Sequence, residues 1–233
     1  LADVSLSASS RDSSADLPAP DLEFPMAPGD NYASTEVLTL DTRPNLTLSL
    51  TRSKPGPLCL FLHGIGGART NWDAQLTATA PYARAAALDL RGYGDSDPGE
   101  EQSTIVDYCT DILRICEVLG TDKLILCGLS YGAWIATSFA MRYPDMLAGL
   151  VLSGGCTGMS EAAAEERAAF REAREAPLDA GKTPADFAPD VVDVIAGPNA
   201  GEAARADLLA SMSAIPAATY RDALTCFTNP KEK

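Results

Sequence analysis

The sequence predicts an α/β fold built on a mostly parallel sheet, and three observations carry that reading. Four short apolar runs, at residues 58–62 (LCLFL), 85–90 (AAALDL), 124–127 (LILC) and 150–152 (LVL), lack alternation, as strands buried on both faces require. Helical patterns lie between them, so strand and helix alternate along the chain. Upstream, residues 36–40 and 46–50 do alternate, around the turn-rich Asp41-Thr42-Arg43-Pro44-Asn45, and read as an antiparallel pair.

In chain order, residues 1–30 are rich in Ser, Asp and Pro without periodicity and read as a flexible lead-in. Residues 31–156 then read as the α/β core. Its clearest helix has Ser103 as candidate N-cap, a face of Ile105, Tyr108, Cys109, Ile112, Cys116 and Leu119, and Gly120 as its stop. A second helix is expected from about Tyr131 to Arg142, ending before Pro144. After Cys156 the alternation ceases. Residues 157–229 hold an alanine-rich charged stretch (160–175), a middle punctuated by Gly and Pro, and a helical piece near 203–212. They read as a helical insertion over the sheet. The charge run reads as a solvated helix face, and Phe170, Phe187, Val191, Val192, Val194 and Ile195 as core-facing positions.

The 233 residues carry 18 Lys and Arg against 32 Asp and Glu, a net charge of −14. That balance argues against nucleic acid and anionic membranes as partners, since both select basic surface. No apolar run is long enough to span a bilayer. The six cysteines, at 59, 109, 116, 127, 156 and 226, show no CxxC spacing and mostly sit in apolar stretches, where a thiol packs as a small hydrophobe. With one histidine in the chain, a zinc site is not expected, and a reducing, cytoplasmic location is. The sequon Asn45-Leu46-Thr47 then reads as chance.

Two motifs carry chemistry. Gly128-Leu129-Ser130-Tyr131-Gly132 follows one predicted strand and opens a predicted helix, the context of a G-x-S-x-G nucleophile elbow. The plainer reading is an ordinary strand–helix turn, but the glycines on both sides of a serine favour the elbow. His63-Gly64-Ile65-Gly66-Gly67 follows another strand, and the amide of Ile65 is its best-placed candidate oxyanion donor. A dinucleotide fingerprint from Gly64 would need glycine at 69, where Arg69 stands. A phosphate loop ending at Gly181-Lys182-Thr183 would need glycine at 176, where Ala176 stands.

With these residues assembled, positions 36–228 resemble the α/β-hydrolase superfamily; Asp89-Leu90-Arg91-Gly92-Tyr93-Gly94-Asp95-Ser96 looks like its segment after the fourth strand. The stretch from Phe61 to Trp72 is similar to the subgroup of 3-oxoadipate enol-lactonases and related esterases. The resemblance implies an eight-stranded sheet with a helical cap inserted after strand six, where residues 157–229 fall. It implies a Ser-His-acid triad with Ser130 as nucleophile, and the backbone N–H groups of Ile65 and Tyr131 as the oxyanion hole. It implies a small ester or lactone as substrate and no metal or organic cofactor. Serine where aspartate would stand argues against the epoxide hydrolases and haloalkane dehalogenases of this fold.

One departure from that pattern matters most. The single histidine, His63, belongs to the oxyanion loop, while the family places its base after strand eight and its acid after strand seven. Asp95, Asp97 and Asp145 read as loop acids. The start at Leu1 and the end at Pro230-Lys231-Glu232-Lys233 fit a piece of a longer serine hydrolase, with residues 230–233 beginning the rest of its core. The alternatives are a non-catalytic ligand-binding relative and an acyltransferase of the same fold. Alone, the chain is expected to be inactive; its oligomeric state is not legible.

Overall fold

A computed structural model describes residues 35–51, 57–229 and 231–232, so the lead-in expected over residues 1–30 lies outside the described residues. Two strands, β1 (Thr35–Leu40) and β2 (Leu46–Thr51), form the antiparallel pair expected from their alternation. The continuous apolar runs become β3 (Leu58–Leu62), β4 (Arg84–Leu88), β5 (Leu124–Leu129) and β6 (Leu147–Ser153). The six strands lie in the order β1-β2-β4-β3-β5-β6, with β2 antiparallel to both β1 and β4 and the neighbours from β4 to β6 parallel.

Every residue of β3 is buried, and its alternation sorts the core into two layers. Leu58, Leu60 and Leu62 face a large cluster with α2 (Ile105–Val118) and α3 (Tyr131–Arg142). Cys59 and Phe61 face a smaller one with Ala85, Ala87, Cys127 and Leu76, the last on α1 (Asp73–Thr79). The helix after β3 therefore covers one face, and those after β4 and β5 cover the other. All six cysteines are free thiols, five of them buried.

Thr104, rather than Ser103, caps α2: its hydroxyl accepts from the Asp107 amide at 3.3 Å while the Asp107 carboxylate accepts from the Thr104 amide at 2.9 Å. The Ser103 amide instead donates to Asp222 at 2.8 Å, and the amide of Ile105 to the buried Glu232 at 2.8 Å. Three carboxylates thus meet the positive end of α2. Gly120 closes the helix with φ +61°.

Beyond β6 the described residues hold four helices: α4 (Ala164–Asp179), α5 (Pro184–Ile195), α6 (Glu202–Ser213) and α7 (Ala217–Thr228). Of these, α5 and α7 go beyond what the sequence reading separated. Two prolines there start helices, Pro184 at the first position behind a Thr183–Asp186 capping box and Pro216 just before α7, while Pro177 and Pro189 lie inside α4 and α5. Phe187 and Val192 are buried and Phe170 and Val191 pack on the core as expected, but Val194 is 84% exposed and Ile195 55%. Those two are the last residues of α5. No helix among the described residues is long and apolar enough to cross a membrane.

The outer strand β6 is unusual. A strand read as buried on both faces instead leaves Leu150 40%, Val151 53% and Leu152 44% exposed, because β5 is its one neighbour in the sheet and little covers it. Its seven residues carry no charge or proline to blunt the free edge. Val151→Lys is therefore expected to raise the concentration at which the chain stays monodisperse in light scattering. Its cost should be no more than about 0.5 kcal/mol in urea unfolding, since the site is already wet. Faster aggregation of the lysine variant would show that another surface drives association.

Candidate active site

The carboxyl ends of β3 and β5 lie side by side, Leu62 against Gly128, and the helices that follow them depart to opposite faces of the sheet. In an open α/β sheet such a switch point opens a crevice at the strand ends. Both sequence motifs are there: His63–Gly67 leaves β3, and Ser130 leaves β5.

Ser130 has φ 52° and ψ −113° and is the one non-glycine with positive φ among the described residues. A side chain in that region costs of order 1–3 kcal/mol, so surrounding contacts must hold it there. They do. Its amide donates to Ser153 O at the end of β6 (2.9 Å), and its carbonyl accepts from the Ala133 and Trp134 amides (2.9 and 3.0 Å). The Cys156 thiol also lies 3.5 Å from that carbonyl. The side chain is exposed, lifted off the strand end at the start of α3. Tyr131, the first residue of α3, has no intrahelical acceptor for its amide, so that N–H is free to meet an anion. Its ring is buried edge-on against Tyr108, Trp134 and near Phe227.

The flanking glycines answer to backbone contact. A Cβ on Gly132 would collide with the Leu62 carbonyl and lie 2.7 Å from that of His63; one on Gly128 would collide with the Gly132 carbonyl. The loop after β3, the elbow and the first turn of α3 are therefore stacked backbone on backbone.

His63 is fully occupied as a structural group. Its Nε2 accepts from the Leu90 amide at 3.1 Å, which fixes the proton on Nδ1, and Nδ1–H donates to Gly64 O at 2.7 Å. Gly64 O also accepts from the Gly67 amide at 2.9 Å. In a trans peptide the C=O and N–H point opposite ways, so anchoring Gly64 O inward turns the Ile65 N–H outward. That N–H makes no hydrogen bond among the described residues. Gly64 lies against Ser130: a Cβ there would be 3.4 Å from Ser130 Cβ and 3.9 Å from its Oγ. Burial pushes the imidazole pKa below its ordinary value, and the Gly64 carbonyl and Asp89 only partly oppose it.

Sequence reasoning missed the residues that brace this loop. Asp89, wholly buried, accepts from the Arg69 amide at 2.8 Å and from the Asp95 amide at 3.1 Å, and pairs with the Arg69 guanidinium. Asp95, read as a loop acid, holds the other arm of Arg69 at 2.7 Å. An aspartate ending an apolar strand was the available signal. Among the described residues no three His, Cys, Asp or Glu side chains gather where a metal ion would be held.

A family model described as the alpha/beta hydrolase fold matches residues 57–197. Epoxide hydrolase 4 of Mus musculus is 40% identical over 98 residues, which are 41% of this chain and 27% of that protein. The match thus spans about a quarter of that curated relative's length. Among solved structures, a hydrolase from Pseudomonas aeruginosa PA01 superposes with a TM-score of 0.71 at 21% identity, covering 85% of this chain and 74% of the other. An esterase from Thermogutta terrifontis gives 0.70 at 24% identity, covering 84% and 73%. These likenesses are of fold.

Two outcomes follow from this geometry. Gly132→Ala should cost about 3 kcal/mol or more in urea unfolding, because two backbones must part, whereas Gly120→Ala, whose added Cβ meets nothing within 4 Å, should cost about 1 kcal/mol. Equal costs would refute the stacking. Second, the one imidazole of the chain should remain the neutral Nδ1–H tautomer in 15N spectra at pH 6.5. The unfolded chain takes up a proton near pH 6.5 and the folded chain does so only lower. The His63 contribution to stability is thus complete above 6.5 and is lost as pH falls below it, with a slope of at most about 1.4 kcal/mol per pH unit. An imidazole titrating at or above its ordinary value would contradict its burial.

Proposed function

This chain belongs to the family with the alpha/beta hydrolase fold, and from that premise we propose that it carries the nucleophile and oxyanion hole of a serine hydrolase acting on small carboxylic esters or lactones. The observation that supports this best is Ser130: a strained, exposed serine at a strand-to-helix turn, with a free helix-end amide beside it and the Gly64–Ile65 peptide against it. In this reading residues 157–229 form a cap over the α/β core of residues 31–156.

The step the geometry fits is acyl transfer. Ser130 Oγ would attack the carbonyl carbon while a base takes its proton, and the Ile65 and Tyr131 amides would receive the charge that develops on the carbonyl oxygen. The alcohol leaves with that proton, and water then cleaves the acyl-serine. Epoxides are a poorer fit despite the relative named as an epoxide hydrolase. Serine opening an epoxide would form an ether, which has no carbonyl for water to attack, so the site would be used once and blocked.

The base is the missing part. Both ring nitrogens of His63 are bound, and the sequence holds no other histidine. We place the base in polypeptide outside these 233 residues, a reading supported by the uncovered edge of β6 and by the quarter of the Pseudomonas hydrolase that this chain leaves unmatched. Loss of a triad base in a serine enzyme lowers turnover by about a million-fold.

The chain by itself should therefore hydrolyse p-nitrophenyl acetate within about twofold of its Ser130→Ala variant. A chain extended along its own gene to include a further histidine should show a rate that Ser130→Ala abolishes. Serine-dependent turnover by the 233 residues alone would mean that a base has been overlooked. An extended chain indifferent to Ser130→Ala would remove the nucleophile assignment.

A further inference from the structure

The oxyanion loop is held from two sides, and the second holder belongs to α6. On the core side, His63 fixes the Gly64 carbonyl. On the other side, Ser211 of α6, itself nearly buried, places its Oγ 3.1 Å from the carbonyl of Gly66. The next residue, Met212, is 1% exposed and its Sδ lies 3.0 Å from where a Cβ of Gly66 would stand, so its thioether presses on the loop backbone. Gly66 and Gly67 offer no side chains with which the loop could brace itself. A two-point contact from α6, one polar and one apolar, supplies that bracing.

We infer that Ser211 is a positioning residue for the oxyanion hole, so that the hole is fully formed only while α6 is seated on the loop. The inference rests on the assignment of Ser130 and Ile65 above. His63 sets the peptide plane that carries the Ile65 N–H, and Ser211 sets the plane after Gly66. The turn between them, closed by the Gly67 amide on Gly64 O, cannot rotate without breaking one or the other. A residue 145 positions away from Gly66 would thereby control how well a developing oxyanion is met, and a ligand large enough to lift α6 would weaken the hole it needs. The competing account is local. Ser211 Oγ is also 3.1 Å from Leu208 O in its own helix, and a hydroxyl has one proton to share between the two carbonyls. If the proton stays on Leu208, Ser211 only decorates its helix.

A probe that needs no general base separates these accounts. An arylboronic acid such as 3,4,5-trifluorophenylboronic acid adds a serine oxygen to boron. The serine proton goes to buffer, and the anionic tetrahedral boronate presents a B–OH oxygen to the hole. The whole 233-residue chain would be titrated by 19F and 11B NMR, beside Ser130→Ala, Ser211→Ala and Ser211→Thr. The expected result is tetrahedral boron with the parent chain and none with Ser130→Ala. Ser211→Ala should bind about fivefold more weakly, the worth of one lost hydrogen bond, with an unchanged thermal midpoint, and Ser211→Thr should restore binding. Amide exchange over residues 63–67 should quicken in Ser211→Ala alone. Boronate capture and loop exchange both unaffected by Ser211→Ala would overturn the inference while leaving Ser130 in place. Capture that survives Ser130→Ala, or no capture by the parent chain, would overturn the nucleophile assignment and the inference with it.

Discussion

The constraint on which the site depends is the contact between three stretches of bare backbone: the end of β3, the end of β5 and the first turn of α3. Gly132 rests on the Leu62 and His63 carbonyls, and Gly128 rests on Gly132. With no side chains between them, β5 can turn into α3 within the single residue Ser130. That residue is then forced to positive φ and held there by Ser153 and by the opening amides of the helix. The same contact brings the loop after β3 against the serine. The exposed serine and the outward-facing Ile65 amide are therefore products of one packing event, in which strain at Ser130 is sustained by the sheet.

Much of this was legible because it is written in backbone requirements. Glycine on each side of a serine between an apolar strand and a helix has few uses, and that context located the sharp turn at Ser130. The parallel strands were readable because burial on both faces removes alternation, and β3 matched at both ends. The α6 region was placed to within a residue or so. What sequence could not show was set by tertiary contact. The cap is an exception that was legible: Asp107 stands three residues after Thr104 and completes a capping box with it, whereas Ser103 would meet Val106 at that position. Pro184 and Pro216 look like interruptions until their place at helix starts is known. The Asp89–Arg69 brace and the Ser211 contact join residues far apart in sequence through side chains that carry no motif.

β6 is where the pattern and the structure part most clearly, and the difference is informative. Leu150, Val151 and Leu152 form the kind of run that is stable only under cover on both faces, yet all three stand partly in water. β6 carries no Lys or Pro, and its one irregularity, the register shift at Ala148, lies near its start and leaves Leu150–Leu152 as a regular, uncharged outer edge. The sequence of β6 is that of an interior strand, and the amide of Ser130 is bonded to its last carbonyl. Whatever steadies β6 will steady the nucleophile too.

The chemistry of His63 closes the account of what these residues do together. A histidine beside a serine invites assignment as its base, but a base must have a lone pair facing the proton it takes. Here the Nε2 lone pair is spent on Leu90 and the Nδ1 proton on Gly64, in a buried setting that disfavours the imidazolium a base must become. The ring's contribution is geometric: it turns one peptide plane so that an amide faces outward beside Ser130. A residue type chosen for proton transfer elsewhere is used here for its two opposed hydrogen bonds, one given and one received. That bond pattern rigidifies the loop at the same time as it removes His63 from acid–base work. On the proposed reading, pre-organised charge stabilisation and proton transfer would fall to different parts of the molecule, the first to β3, β5, α3 and the loop that α6 contacts.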